Sequence, residues 1–257
     1  NAKQNALIPY TNIFLKKGVK FNNQTGNFLE TICLIKNLNI SLLKQIIHKT
    51  LTPIKFVSLN QGDLVSIYCS NELLPNSENK YKSFYKFVKV NYKLGELFDI
   101  KLTDLKEYKQ EDYQKLNDII FVKKFKKIIK FYKIYTSYIN FIKYLYNNTE
   151  TIDYNHLLDF ISRPNENLFK YGVNIMIFNN KNKNLLCNPY FIKTNDCMIL
   201  IKENANNFTP LFHIRVNKLG KISGNYGTFR IDKYINIDNN LLETLNNKNI
   251  DDNIIEE

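Results

Sequence analysis

Tryptophan is absent from the 257-residue chain, and methionine (2), histidine (3), cysteine (4) and proline (6) are scarce. Each shortage excludes something. No window approaches 18 uncharged apolar residues, so no transmembrane helix is expected. No charged segment leads into an apolar stretch at the start, so no signal peptide is expected either. The chain opens on Asn1 rather than Met, and we read it as a piece of a longer protein. The cysteines Cys33, Cys69, Cys187 and Cys197 form no CxxC pair and have no His at ligand spacing. This argues against a zinc site and a disulfide framework, leaving thiols in a reducing compartment. There is no GxSxG, phosphate loop, HExxH or dinucleotide-binding glycine string, and no cofactor or metal is expected. Gly224-Asn225-Tyr226-Gly227 reads as a hairpin turn. With three histidines (His48, His156, His213), imidazole chemistry has few candidates.

What is present is lysine and asparagine. The chain holds 33 Lys against 3 Arg, 39 Asn, and a net charge of +12. Apolar residues make up 44% and charged residues 23%, the balance of a folded chain. Asn, Lys, Ile, Tyr and Phe share AT-rich codons, so a low-G+C genome produces this bias without selection for function. The charge is unevenly placed. Residues 1–146 hold 24 Lys and 11 acids, whereas residues 147–257 hold 9 Lys, 3 Arg and 13 acids.

The densest stretch, Ile119 to Tyr146, has seven lysines and no acid. Phe121, Val122, Phe125, Ile128, Ile129, Tyr132, Tyr135, Ile139, Ile142 and Leu145 recur at helical spacing and predict one long amphipathic helix. Lys123, Lys124, Lys126, Lys127, Lys130 and Lys133 fall between them and form a candidate nucleic-acid-binding ridge. The bland alternative is the solvated side of a core helix. A membrane-surface helix fits less well, because the apolar side is rich in Tyr and Ile, as in a packed helix.

Further helices are expected over 27–37, over 41–49 with Ser41 as N-cap, over 103–115, and from Tyr154 to Ile161 before Pro164. Phe56 to Leu59 and Leu64 to Tyr68, flanking Asn60-Gln61-Gly62-Asp63, predict a hairpin. Leu73 to Lys80 reads as a polar loop, and Tyr81 to Tyr92 is ambiguous. Strands are expected over 173–178, apolar on both faces and so central, over 197–202 and over 211–216, with turns at 204–207 and 218–221. The order predicts one α+β domain over 1–235, helical over 1–150 and mainly sheet-forming over 151–235. An acidic, Asn-rich linker follows at 236–257.

Several strings then resemble the ovarian-tumour (OTU) class of papain-like cysteine proteases. That family opens its first core helix on a string of the type Asp-Gly-Asn-Cys-Leu-Phe-Arg-Ala-Ile. Gln24-Thr25-Gly26-Asn27-Phe28-Leu29-Glu30-Thr31-Ile32 lies against it. His156 to Phe160 leading into Asn174 to Phe178 is similar to the family's helix and central strand. Met198 to Ile201 followed by Asn207-Phe208-Thr209-Pro210-Leu211 is similar to the strand, turn and His-bearing strand. The resemblance implies an OTU-like core with degenerate catalytic positions. Asn27 stands at the nucleophile position and Asn207 at the general-base position, and Asn supplies neither thiolate nor imidazole. A Cys33–His213 pair is the remaining candidate for an active hydrolase.

A second resemblance runs through Phe28 to Ile32, Phe56 to Val65, Ile152 to Leu158 and Pro164 to Ile175. These strings look like large proteins of giant nucleocytoplasmic DNA viruses. It implies a viral protein of the host cytoplasm (viral factory) or the virion. The expected function is a non-catalytic interaction module binding a protein partner, ubiquitin or a virion component. The alternatives are a nucleic-acid-binding module in viral transcription or packaging, and an active deubiquitinase-like hydrolase.

Overall fold

The structure, a computed structural model, describes residues 11–16, 27–108, 119–147, 152–181, 185–187, 196–204, 207–216 and 222–230. It is mixed α+β. The chain divides into two compact units, one of residues 1–46 with 148–257, the other of residues 47–147. The sheet unit is thus made of two stretches of chain, one before the helical unit and one after it.

The sheet unit has seven strands among the described residues: β1 (Thr11–Lys16), β2 (Asn174–Asn179), β3 (Leu185–Cys187), β4 (Asp196–Lys202), β5 (Phe208–Val216), β6 (Ile222–Tyr226) and β7 (Phe229–Arg230). The order is β1-β5-β4-β2-β3, with β6 beside β5 and β7 beside β4. β2 and β4 run parallel and the other pairs are antiparallel. β1, within the stretch expected to be helical, pairs residue for residue with β5, Thr11 opposite Val216 through Lys16 opposite Leu211. The strand buried along its length is β4, not β2. Cys197 to Ile201 are all buried, while β2 buries Ile175 and Ile177 alternately. An uninterrupted apolar run suits a strand covered on both faces, and alternation suits one covered on one. Gly224 and Asn225 lie within β6, so the expected turn at 224–227 is mostly strand. The turns and linker expected at 218–221 and 236–257 lie outside the described residues.

Among the described residues, three helices belong to or begin in this unit. α1 (Asn27–Lys36) buries Phe28, Leu29 and Ile32. α2 (Ile40–Thr50) is capped by the Asn39 side chain, which accepts from Leu42 N–H at 2.8 Å. The cap is therefore Asn39 rather than Ser41; either oxygen can serve, and the cap lies two residues earlier. The helix Tyr154–Ser162 is capped by Asp153, which accepts from Asn155 N–H at 2.9 Å.

The helical unit runs α3 (Pro53–Phe56), a short 3₁₀ turn (Leu59–Gly62), α4 (Asp63–Ile67), α5 (Glu78–Val90), α6 (Tyr92–Leu97), α7 (Leu102–Glu107), α8 (Ile119–Lys124) and α9 (Lys126–Tyr146); the Tyr154–Ser162 helix is α10. The expected hairpin at 56–68 is thus helical. Its turn signal is nonetheless real. Asn60, Gln61 and Gly62 all take left-handed φ values (46°, 57° and 95°), the conformation that favours Asn and Gly. Here the reversal joins two helical segments instead of two strands. The loop expected to Lys80 ends at Ser77, whose hydroxyl caps α5. The ambiguous aromatic stretch is α5 itself, burying Phe84 and Val88. The helix expected over 103–115 is described through Glu107, with Leu105 and Tyr108 buried; residues 109–118 lie outside the described residues. The basic helix is real but broken at Phe125.

α9 is the spine of this unit. Phe131, Tyr132, Tyr135 and Tyr138 meet Phe84 and Phe87 of α5 at ring-centroid distances of 4.9–6.3 Å. Polar side chains on α9 tie it to α4 and its end and to the turn between α2 and α3. Ser137 Oγ donates to Val65 O (2.7 Å), Asn140 Nδ2 to Tyr68 O (3.0 Å) and Tyr138 OH to Leu51 O (3.0 Å).

Candidate functional site

In the sheet unit, α1 packs against the start of β5. Thr31 Oγ1 donates to Phe208 O at 3.1 Å, and the Phe28 and Phe208 rings lie 5.7 Å apart. Tyr154 completes an aromatic trio, 6.1 Å from Phe28 and 5.1 Å from Phe208. Lys202 Nζ lies 4.8 Å from the Tyr154 ring centre. Asn27 is the first residue of α1, one before Phe28, and Asn207 is the residue before Phe208. Asn207 closes the β4–β5 turn. Its N–H donates to Asn204 Oδ1 (3.1 Å) and its carbonyl accepts from Glu203 N–H (2.9 Å). The two asparagines thus flank an apolar contact between a helix start and a strand start.

The residues that could rescue catalysis are poorly placed for it. Cys33 is 7% exposed, and its thiol is pushed up to about 12, first by burial and then by the nearby charge of Glu30. A nucleophilic cysteine needs the opposite influence, a cation or a helix N-terminus. His213 is buried in β5, opposite Phe14 on one side and Tyr226 on the other. Burial pushes the Cys197 thiol up to about 12 as well. Cys69 is half-buried and donates to Ser66 O at 3.1 Å. Among the described residues no group of three His, Cys, Asp or Glu side chains is gathered as metal ligands would be. Also among them, no helix is long and apolar enough to cross a membrane.

Two consequences can be measured. The Cys33 and Cys197 thiols stay protonated to higher pH in the folded chain than in the unfolded one. Their contribution to stability is full below about pH 9 and is lost as pH rises from about 9 towards 12. Denaturation midpoints should fall across that window, and the fall should be smaller in Cys33→Ala or Cys197→Ala measured against its own value at pH 8. Separately, a Cβ at Gly227 would lie 2.9 Å from Ile35 Cγ2 and 3.1 Å from Phe212 Cε1. Gly227→Ala should therefore cost about 1–3 kcal/mol by overpacking α1 against β5, read from its denaturation curve.

The second candidate lies in the helical unit. Lys123, Lys124, Lys126, Lys127, Lys130 and Lys133 are all exposed on α8 and α9. Lys127 pairs with Asp99, whose carboxyl that hydrogen bond holds below its ordinary range. Lys130 Nζ lies 5.3 Å from the Phe98 ring centre and Lys124 Nζ 5.1 Å from that of Phe125. Lys101 also acts on Asp99, so the loop between α6 and α7 borders the ridge. This loop was missed in the sequence, because nothing local marks a contact with residues nearly thirty positions away. His48 is exposed and stacks edge-on with Tyr146 at 5.6 Å. His156 is half-buried near the start of α10.

Comparison with protein-family models, curated proteins and solved structures gives no match.

Proposed function

We propose that the chain is a non-catalytic, OTU-like interaction module that binds a ubiquitin-like protein at the junction of α1 and β5. One observation carries the reading. Thr31 and Phe28 fasten the start of α1 to Phe208, so the two positions that the resemblance assigns to nucleophile and base, Asn27 and Asn207, stand next to paired residues of one contact. A papain-like site needs this layout, a helix start facing the strand that bears the base. The layout carries amides where the chemistry needs ionisable groups, and the Cys33 thiol is held protonated. What remains is a surface for a partner.

The experiment is a titration of the chain with mono-ubiquitin, alongside Asn27→Arg and Asn207→Arg. The expected result is saturable binding by the parent chain that weakens at least tenfold, about 1.4 kcal/mol or more, in each variant. Absence of ubiquitin binding, or binding indifferent to both substitutions, overturns the reading.

A further inference from the structure

We propose that the lysine face of α8 and α9 binds the phosphate backbone of nucleic acid without reading base sequence. This does not depend on the α1–β5 reading and rests on the helical unit alone.

Four observations carry it. First, the charge is concentrated. Residues 47–147 hold 18 Lys and 10 acids, yet the acids avoid α8 and α9 entirely. Second, the lysines face solvent. All six are exposed, and among the described residues the ion pair made by this set is Lys127 with Asp99. Third, the arrangement works against the helix itself. Lys126, Lys130 and Lys133 lie at i, i+4 and i+7, and Lys127 and Lys130 at i and i+3. Like charges at these spacings repel across one helix face. α5 carries lysines at the same spacing, Lys82, Lys86 and Lys89, but opens on Glu78, which pairs with Lys82, whereas α8 and α9 contain no acid at all. Fourth, the spacing suits phosphates. The row from Lys126 to Lys133 rises about 10 Å along the helix. That spans roughly three phosphates of one nucleic-acid strand.

The chemistry of the face selects the partner. Lysine supplies a point charge for phosphate but not the planar fork that reads guanine edges, and residues 47–147 contain no Arg. A bilayer surface is a poorer fit. The apolar side of these helices, with Phe121, Phe125, Ile128, Phe131 and Ile134, is buried in the unit's own core rather than free to enter lipid.

The test uses the whole chain and fluorescence anisotropy with two duplexes of unrelated sequence, each about 20 base pairs, across salt from about 50 to 200 mM. Both duplexes should bind with similar affinity, and log K should fall with log salt at a slope of about −3 or steeper. Lys126→Gln/Lys130→Gln/Lys133→Gln should weaken binding at least tenfold and make that slope shallower by about 2–3. Its unfolding midpoint should stay at or above that of the parent, since repulsion has been removed. Lys55→Gln/Lys86→Gln/Lys89→Gln removes the same charge from exposed positions elsewhere in the unit and should change the slope little. No duplex binding at the lowest salt overturns the proposal. So does equal loss in the two triple variants, which makes the effect one of net charge. Binding to anionic lipid vesicles without binding to either duplex also overturns it.

Discussion

Replacing Phe131 by alanine is expected to cost the helical unit about 3–5 kcal/mol, the largest stability effect of a single substitution considered for this chain. Phe131 is fully buried, and its ring meets three others: Phe84 and Phe87 at 6.2 Å and Phe98 at 5.9 Å. Truncation removes the ring from α5, from the loop after α6 and from α9 at once, and leaves a cavity that stiff aromatic neighbours fill badly. Phe131→Leu keeps most of the volume and should cost about 1.5 kcal/mol or less. Amide hydrogen exchange of peptides from α9 measures the loss within this unit. Protection of α9 left unchanged in Phe131→Ala would show that the aromatic cluster is not what holds it.

The second large effect is in the sheet unit. Arg163→Leu should cost about 3 kcal/mol. Arg163 Nε and Nη2 donate to the two carboxylate oxygens of Asp159, each at 2.7 Å. The Asp159 side chain is 6% exposed while that of Arg163 is 40% exposed, so removing the arginine leaves the more buried charge without its main counter-ion. The pair spans one turn at the C-terminal end of α10. Asp159→Leu/Arg163→Leu should recover much of the loss, because an apolar pair often replaces a buried ion pair at little cost. Urea denaturation of the single and double variants decides the matter. A double variant as unstable as Arg163→Leu would mean that the carboxylate serves partners other than the arginine.

Helices with a clear apolar period were legible in the sequence. On α9 the expected Ile128, Tyr132 and Leu145 are buried, but so are Phe131, Ile134 and Phe141, which lay outside the expected set, while Ile139 and Ile142 are half-buried; α1 shows Phe28, Ile32 and Ile35. The β4 and β5 strands were legible because short β-branched and aromatic runs end at Asn-rich turns, and the Asn204 side chain accepts from the backbone N–H of Asn207 there. Three features were not. The Asn60-Gln61-Gly62 reversal has the residues of a hairpin turn, and only packing on α9 decides that helices flank it. β1 carries no local mark of its partner, since its pairing with β5 is nearly two hundred residues away in sequence. The division into two units depends on the chain leaving the sheet after Ile46 and returning after Asn147, which is a matter of long-range contact and not of local pattern.

The candidate sites divide in the same way. The lysine ridge was readable, since a helix with seven lysines and no acid must display them unless they are paired. Its border of Phe98, Asp99 and Lys101 was not. The α1–β5 junction was readable as two asparagine-bearing strings. The Thr31–Phe208 bond and the Phe28–Tyr154–Phe208 trio that join them appear only in three dimensions. The weakness of Cys33 as a nucleophile follows from burial and Glu30, and spacing alone could not reveal either.

The most direct measurement is mass spectrometry of the chain after incubation with a ubiquitin-based probe that alkylates active-site cysteines. If the junction is a binding surface without catalysis, the parent chain gives no adduct at Cys33, and Asn27→Cys/Asn207→His gains one at position 27. An adduct at Cys33 in the parent chain would contradict the account and make the protein an active thiol hydrolase.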